Sequence, residues 1–150
     1  SRPGMAMTLN GIAQGYVTDR VADLLKARGF DNVLLDIGEI RALGGGRDGG
    51  GWKVGLAARP ENGALAATLR VQDRAVATSM MAGTVLDASG RVGHILHPRK
   101  GAVASAFSAV SVVAADAALA DALSTAAALM TADELPRLNL SGVEVHATPV

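Results

Sequence analysis

Apolar residues at helical spacing predict one helix near the start of the chain and another near its end. The first helix spans residues 10–28, with Asn10 as the capping residue at its start and Gly29 at its end. Its apolar face consists of Ala13, Val17, Val21 and Leu24. The second helix runs from Asp116 to Met130, and its apolar stripe consists of Ala120, Leu123, Ala127 and Met130.

Between these helices, short apolar or alternating segments predict a run of strands. The strands cover residues 32–37, 52–58, 65–71, 75–78 and 109–114, and residues 143–146 form a last strand near the end of the chain. Residues 40–43 are predicted to continue the first of these strands after a kink at Gly38. Residues 72–74 are interpreted as a hairpin turn, and residues 85–86 and 93–96 flank a second turn at 87–90. Thr131 and Glu134 form a capping-box pattern for a short further helix. Because strands and helices do not alternate strictly, we predict a single α+β domain over residues 1–150, with a mostly antiparallel sheet packed with helices.

Composition argues against several classes of function. Lys plus Arg equals Asp plus Glu, 14 each, so there is no electrostatic basis for binding nucleic acid. The absence of cysteine excludes disulfides, thiolate metal sites and a cysteine nucleophile. No apolar run approaches the roughly 18 residues that a membrane-spanning helix needs. Since the chain opens on Ser1 and not on methionine, we interpret it as a fragment or a processed chain.

The segment with the strongest chemical signal is Ala120 to Ala126, within the second predicted helix. Asp121 and Thr125 are four residues apart, so their oxygens point the same way from the helix. A carboxylate and a hydroxyl without His or Cys beside them suit a hard cation such as Mg²⁺. The alternative is an exposed Asp121 and a Thr125 whose hydroxyl bonds to its own helix.

Two further segments can hold an anion. In the segment 93–101, His94 and His97 stand beside Pro98 and two cationic residues, and His94 can exchange a proton near neutral pH. The alternative is a hairpin end with two solvated histidines. The start of the first helix, from Asn10 to Tyr16, offers free N–H groups that favour anions, but taken alone this segment is better explained by ordinary helix capping.

Two other segments carry weaker signals. The glycine-rich loop at 44–51 lacks the ending of a phosphate-binding P-loop and lies between two predicted strands, so we interpret it as a plain connection. Ser79 ends a strand and is a candidate nucleophile or phosphate ligand, but no nucleophile elbow surrounds it. Met80 and Met81 can line a flavin ring or simply fill the core.

Taken in order along residues 8–130, these segments resemble the family of FAD:protein FMN transferases, the ApbE-type flavin transferases. The resemblance rests on Gly-Ile-Ala-Gln-Gly-Tyr at 11–16, Asp-Ile-Gly at 36–38, the Trp52 strand, Ala-Thr-Ser at 77–79, the His94 segment and Ala-Asp-Ala-Leu-Ser-Thr-Ala at 120–126. The last two motifs are the most specific. The family is about twice as long, so this chain resembles its C-terminal half.

The resemblance implies an enzyme that uses FAD and Mg²⁺. It implies transfer of FMN to a Thr or Ser hydroxyl of an acceptor protein, with release of AMP. Asp121, Thr125 and the backbone carbonyl of Gly11 match the metal ligands, and His94 matches a residue that helps the acceptor hydroxyl lose its proton. The residues that correspond to the flavin site are Asn10, Gln14, Glu39, Ser79, Met80, His94 and Pro98.

Several positions depart from the family pattern. Gln14 stands where a lysine is common, Glu39 replaces the second glycine of a pair, and His97 stands where an aspartate is usual. Thr8 and the Met80–Met81 pair are further departures. A flavin-binding module without transferase activity and an inactive fragment are therefore the alternatives. The resemblance also implies a periplasmic or membrane-associated parent protein, whose missing N-terminal half, or a homodimer, completes the structure.

Overall fold

A five-stranded antiparallel sheet is the central layer of the computed structural model, which describes residues 2–57, 65–89 and 92–150. The strands are β1 (Val33–Asp36), β2 (Ile40–Leu43), β3 (Trp52–Ala57), β4 (Leu65–Val71), β5 (Ala75–Ser79), β6 (Phe107–Ala114) and β7 (Glu144–Pro149). The helices are α1 (Ala13–Lys26) and α2 (Ala117–Ala128), followed by a 3-10 helix over Leu135–Arg137. The sheet order is β1-β2-β5-β6-β7, and β3 and β4 form a separate hairpin. The predicted α+β fold with an antiparallel sheet is confirmed.

The sheet is covered on both faces, which explains why β6 reads as an almost continuous apolar run. Val110 and Val112 lie in the core that the sheet shares with α2. Val113, on the other face, packs with Val54 and Leu56 of the β3–β4 hairpin. Because successive residues of a strand point to opposite faces, both sets of side chains in β6 must be apolar.

The sequence pattern predicted a hairpin turn at residues 72–74, between two paired strands. This prediction is wrong, because the two strands do not pair with each other. The turn connects β4, in the two-stranded hairpin, with β5, in the five-stranded sheet. Asp73 adopts a positive φ of 50°, and its carboxylate accepts a hydrogen bond of 2.8 Å from the backbone N–H of Gly44. This long-range contact directs the chain from one layer to the next, which local sequence does not reveal.

The buried face of α1 also differs from the prediction. The helix buries Gly15, Thr18 and Ala22, whereas Val17 and Leu24 are each 55% exposed. The cause is a close approach between the helices: a Cβ on Gly15 would lie 2.3 Å from the carbonyl oxygen of Ala117. Small residues permit this contact, and the larger apolar residues of α1 remain outside it.

Each of the two helices receives a carboxylate from the other at its first turn. Asp19 of α1 accepts hydrogen bonds of 2.9 Å from the backbone N–H groups of both Ala117 and Ala118. In return, Asp121 of α2 accepts one of 3.0 Å from the N–H of Gly15. A carboxylate satisfies free N–H groups at a helix start and interacts favourably with the helix dipole. The helix pair is therefore held in one register by its polar residues.

The predicted caps of α1 were half correct. The helix begins at Ala13, and Asn10 belongs to a preceding turn in which the N–H groups of residues 12 and 13 bond to the carbonyl of Leu9. Asn10 therefore does not cap the helix, because the carboxylate of Asp121 takes that role from α2. At the other end, Gly29 follows the helix with a φ of 83°, as predicted.

The remaining expectations are largely confirmed within the described residues. Strand 65–71 has the predicted bounds. Residues 40–43 were predicted to continue the strand at 32–37, and this prediction is wrong. They turn back as β2 and pair antiparallel with β1, after a tight turn in which Gly38 has a φ of 116°. The turn after Val85 is closed by a bridge to Gly93, and the glycine-rich loop connects β2 with β3. Ala58 and Gly90, the last residues of a predicted strand and a predicted turn, lie outside the described residues. No helix in the described ranges has the length and apolarity needed to cross a membrane.

Candidate functional site

A cavity of about 580 Å³ lies between the start of α1, the end of β5 and the middle of α2. It brings together side chains that are more than 100 residues apart in the sequence. Nine of the predicted site residues line it: Asn10, Gly11, Gln14, Glu39, Ser79, Met80, His94, Asp121 and Thr125. The fold therefore brings residues from several separate sequence motifs together around one cavity.

Asp121 presents a buried carboxylate to this cavity. Its side chain is only 6% exposed, so the alternative of a solvated helix residue is wrong. Oδ2 accepts the hydrogen bond from Gly15, while Oδ1 has no hydrogen-bond donor among the described residues. The cap fixes the orientation of the carboxylate and leaves one oxygen available to a ligand.

Hydroxyl groups continue the polar surface beside Asp121. Ser79 Oγ lies 2.8 Å from Ser124 Oγ and 3.3 Å from Thr125 Oγ1, which links the end of β5 to α2. Thr125 also faces Gly11, where an added Cβ would lie 3.0 Å from Thr125 Cγ2. The absence of a side chain at residue 11 thus allows the backbone before α1 to approach Thr125 closely.

Glu39 adds a second buried carboxylate to the cavity. Burial, reinforced by the negative charge of Asp121, raises the pKa of Glu39 to about 7, although the N–H of Thr78 donates to it and opposes the shift. Burial also raises the pKa of Asp121, against the opposing hydrogen bond from Gly15. Both shifts have the same cause, because low-dielectric surroundings disfavour a charged carboxylate that lacks a cationic partner.

Glu39→Gln is expected to stabilise the chain at pH 8 and to have little effect at pH 4.5, when metal is removed with EDTA. A carboxyl whose pKa is raised from 4.5 to about 7 binds its proton more tightly in the folded state. Its destabilising effect is therefore absent below pH 4.5, develops as the pH rises to 7 and is complete above it. Glutamine keeps the shape and removes the charge.

Thermal unfolding of both proteins across this pH range measures the difference in Tm. Glu134→Gln is the matched control, because Glu134 is exposed and the N–H of Thr131 lowers its pKa. That control should not raise Tm at any pH. An equal gain for Glu39→Gln at pH 4.5 and pH 8 would contradict the assignment of an uncompensated buried charge.

His94 is an exposed residue on another part of the cavity wall. Its Nδ1 lies 3.2 Å from the carbonyl oxygen of Thr84. Because a carbonyl only accepts hydrogen bonds, this contact favours the tautomer with the proton on Nδ1. Nε2 of the neutral ring then has a free lone pair, as a proton acceptor requires.

Beyond Leu96, the His94 segment does not line the cavity. His97 Nδ1 accepts hydrogen bonds from the N–H groups of Arg99 and Lys100 and so stabilises the turn that contains Pro98. Neither Pro98 nor the two cationic residues line the cavity. Pro98 as a flavin contact stays a prediction, and the cationic residues supply no charge to the cavity wall.

The cavity wall contains no lysine or arginine among the described residues. Gln14 lies at the start of α1 with its side-chain amide against Gly38, where an added Cβ would be 3.0 Å from Nε2. Met80 lines the cavity, whereas Met81 packs against the main core. Two carboxylates and several hydroxyls therefore face a cavity without a fixed positive charge.

Several lining residues were not predicted as site residues. Thr78, Gly83, Thr84, Ile95, Leu96 and Leu129 also line the cavity, together with Thr8. Ser124 was missed as well, although it links Ser79 to α2. A polar residue three positions after Asp121 in an alanine-rich helix was the signal that could have revealed it.

These oxygens suit a hard divalent cation. The carboxylate of Asp121, the hydroxyl of Thr125 and the backbone of Gly11 meet on one side of the cavity. Oxygen donors of this kind are preferred by Mg²⁺ and Ca²⁺. No described residue donates to Oδ1 of Asp121, which leaves that oxygen available to a cation.

The curated relatives that this chain matches carry the same name, FAD:protein FMN transferase. The FAD:protein FMN transferase of Klebsiella pneumoniae is 34% identical over 104 residues, which are 67% of this chain and 31% of that protein. The FAD:protein FMN transferase of Treponema pallidum is 32% identical over 138 residues, 84% of this chain and 38% of that protein. The match thus spans about a third of the length of these curated relatives.

Solved structures agree with this relationship. The ApbE protein of Thermotoga maritima superimposes with a TM-score of 0.81 at 29% identity, over 97% of this chain and 49% of that one. The apo flavinyl transferase ApbE of Pseudomonas stutzeri gives a TM-score of 0.71 at 28% identity, over 95% of this chain and 49% of that one. A model of the ApbE family matches residues 1–147. The chain therefore belongs to the ApbE family of flavin transferases.

Proposed function

We propose that this chain carries the metal and flavin site of an FAD:protein FMN transferase. The enzyme uses FAD and a divalent cation, transfers FMN to a Thr or Ser hydroxyl of an acceptor protein and releases AMP. The observation that carries the proposal is a single cavity lined by Asp121, whose Oδ1 has no donor among the described residues, by Thr125 and, on another part of its wall, by His94. The names of the curated relatives support the reaction.

Asp121, Thr125 and the carbonyl of Gly11 are proposed to hold Mg²⁺. When bound, the cation neutralises charge on the pyrophosphate of FAD and orients it for in-line attack. Gly15 keeps the carboxylate of Asp121 in place through its N–H. The hydrogen bond between the hydroxyls of Ser79 and Ser124 links the end of β5 to α2 beside Thr125. Asn10, Gln14, Glu39 and Met80 face the same cavity, where the flavin substrate is proposed to bind.

The transfer step needs a proton acceptor and a leaving group. The oxygen of the acceptor hydroxyl forms a bond to the phosphorus of the FMN half, and the bond from that phosphorus to the AMP oxygen breaks. AMP leaves with the bonding electron pair. Nε2 of His94 receives the proton that the hydroxyl loses, as a general base near neutral pH. The products are the FMN phosphoester of the acceptor and AMP.

The nucleophile is proposed to come from the partner protein. Ser79 is the strongest internal candidate, but its hydroxyl is buried and its hydrogen-bond partners are the hydroxyls of Ser124 and Thr125. An activated serine requires a base within hydrogen-bond reach, and Ser79 has none. Since the chain spans about half of the related solved structures, the rest of the flavin pocket is proposed to come from elsewhere in the protein or from a second copy.

A transfer assay tests this function. The protein is incubated with FAD, Mg²⁺ and an acceptor protein that carries a target threonine, and covalent flavin fluorescence on the acceptor is measured after denaturation. We expect labelling that requires Mg²⁺ and is absent from an acceptor whose threonine is replaced by valine. Bound FAD without labelled acceptor would contradict the transferase function and favour the flavin-binding module. The periplasmic or membrane-associated location stays a prediction.

A further inference from the structure

The cavity contains two buried carboxylates, and the described residues that line it include no lysine or arginine to balance their charge. Glu39 is 7% exposed and Asp121 is 6% exposed, and both line the cavity wall. Among the described residues, neither forms an ion pair with a lysine, arginine or histidine. Buried carboxylates in proteins are normally paired with a cation or coordinate a metal.

The two carboxylates approach the cavity from opposite layers of the fold. Glu39 lies directly before β2, after the tight turn in which Gly38 has a φ of 116°. The N–H of Thr78, in β5, donates toward it. Asp121 comes from α2, which covers that face of the sheet. Both residues line the same cavity, and burial, followed by the negative charge of Asp121, raises the pKa of Glu39.

The second independent observation is the free oxygen of Asp121. Asp121 lines the cavity, its Oδ2 accepts the hydrogen bond from Gly15, and no described residue donates to its Oδ1. A buried water or a neighbouring N–H group is the usual solution for such an oxygen. The hydroxyl-bearing Thr125 and a second carboxylate, that of Glu39, line the same cavity, and oxygens of this kind favour a cation over an anion or an apolar ligand.

We propose that Glu39 is a second carboxylate ligand of the cation that Asp121 holds. This inference rests on the proposed metal site and extends it to a residue that the sequence comparison placed with the flavin. Two ionised carboxylates carry a charge of −2, which one divalent cation neutralises. Without that cation, the cavity wall repels a pyrophosphate, since both are negative. The bound cation removes this repulsion.

Titration of Mn²⁺ without FAD tests the inference. Free Mn²⁺ gives an electron paramagnetic resonance signal that is lost on binding, so the Kd is measured directly on the chain. We expect Glu39→Gln to weaken Mn²⁺ binding by about tenfold or more, since loss of even an outer-shell partner costs that much. Glu39→Asp, which keeps the charge on a shorter side chain, should recover part of the affinity. Far-UV circular dichroism checks that each variant is folded.

Asp121→Asn and Glu134→Gln complete the design. Glu134 is exposed and remote from the cavity, so its variant should bind Mn²⁺ like the unmodified chain. If Asp121→Asn abolishes binding and Glu39→Gln leaves it unchanged, the metal site stands and the role of Glu39 is wrong. If the unmodified chain does not bind Mn²⁺, both the metal site and the role of Glu39 are wrong.

Discussion

Asp121→Asn is expected to reduce FMN transfer and metal-dependent FAD binding by at least about a hundredfold, the upper range for loss of an outer metal partner. Asparagine removes the negative charge at the metal site. Its side-chain oxygen can still accept the hydrogen bond that Gly15 donates to Oδ2. The variant therefore separates the two roles of Asp121, the cap of α1 and the ligand in the cavity.

Steady-state transfer rates and FAD titrations in Mg²⁺ provide the measurement, with urea unfolding of the same proteins beside them. Asp121→Ala should lose activity to the same extent and should also lose stability, because the N–H of Gly15 is then left without its acceptor. Glu134→Gln should behave like the unmodified protein. Near-normal transfer by Asp121→Asn would show that the carboxylate serves only as a helix cap.

Gly15→Ala is expected to destabilise the chain by about 3 kcal/mol or more, the upper range for overpacked cores. The added Cβ would lie 2.3 Å from the carbonyl oxygen of Ala117 and 2.7 Å from Cα of Ala118. Both atoms belong to the backbone of α2, so no side-chain rotation relieves the clash. In an ordinary helix interior, Gly→Ala increases the free energy of unfolding by roughly 0.5–1 kcal/mol. A decrease in this protein would therefore indicate the close contact between the helices.

Urea unfolding followed by circular dichroism measures the change in the free energy of unfolding. Gly142→Ala is the control, because Gly142 has a positive φ of 75° and open space around it. Its cost should be limited to the about 1–2 kcal/mol of a strained left-handed residue. A Gly15→Ala protein as stable as Gly142→Ala would contradict the close contact between the helices. If Gly15→Ala pushes α1 away from α2, the variant should also bind Mn²⁺ more weakly than the unmodified chain, because Gly11 and Asp121 then move apart.

Local patterns along the chain were sufficient for the element types. Alternation in β4 and the β-branched run in β6 are properties of a few adjacent residues, and both strands were predicted. The face of α1 was not predictable in the same way. Its large apolar residues, such as Val17, suggested a hydrophobic stripe, but the helix docks through Gly15 and Thr18. Close packing between backbones leaves no hydrophobic signal in the sequence.

In the candidate site, too, the sequence predicts local geometry but not the contacts between distant segments. Asp121 and Thr125 are one helical turn apart, so their common direction followed from the sequence. The burial of Asp121 depends on Gly15, which lies 106 positions away in the chain. Likewise, the pKa of Glu39 is raised first by its burial in the fold and then by the charge of Asp121, a residue distant in the sequence. Contacts between distant segments decide burial and charge compensation, and a single sequence does not contain them.

The reciprocal capping of the helices connects the fold with the proposed chemistry. Asp19 fixes the start of α2, and Asp121 fixes the start of α1. This register places Gly11 against Thr125 at the edge of the cavity. The groups proposed to bind the cation are therefore positioned by backbone contacts of two helices, which are more rigid than a surface loop.

Calorimetric titration of FAD into the chain, once with Mg²⁺ and once with EDTA, tests the central claim most directly. The claim is that this chain carries a flavin site that depends on a divalent cation. We predict saturable binding of FAD in Mg²⁺ and a loss of that binding in EDTA, because the two buried carboxylates then face the pyrophosphate uncompensated. No binding in Mg²⁺, or the same Kd in EDTA, would contradict it.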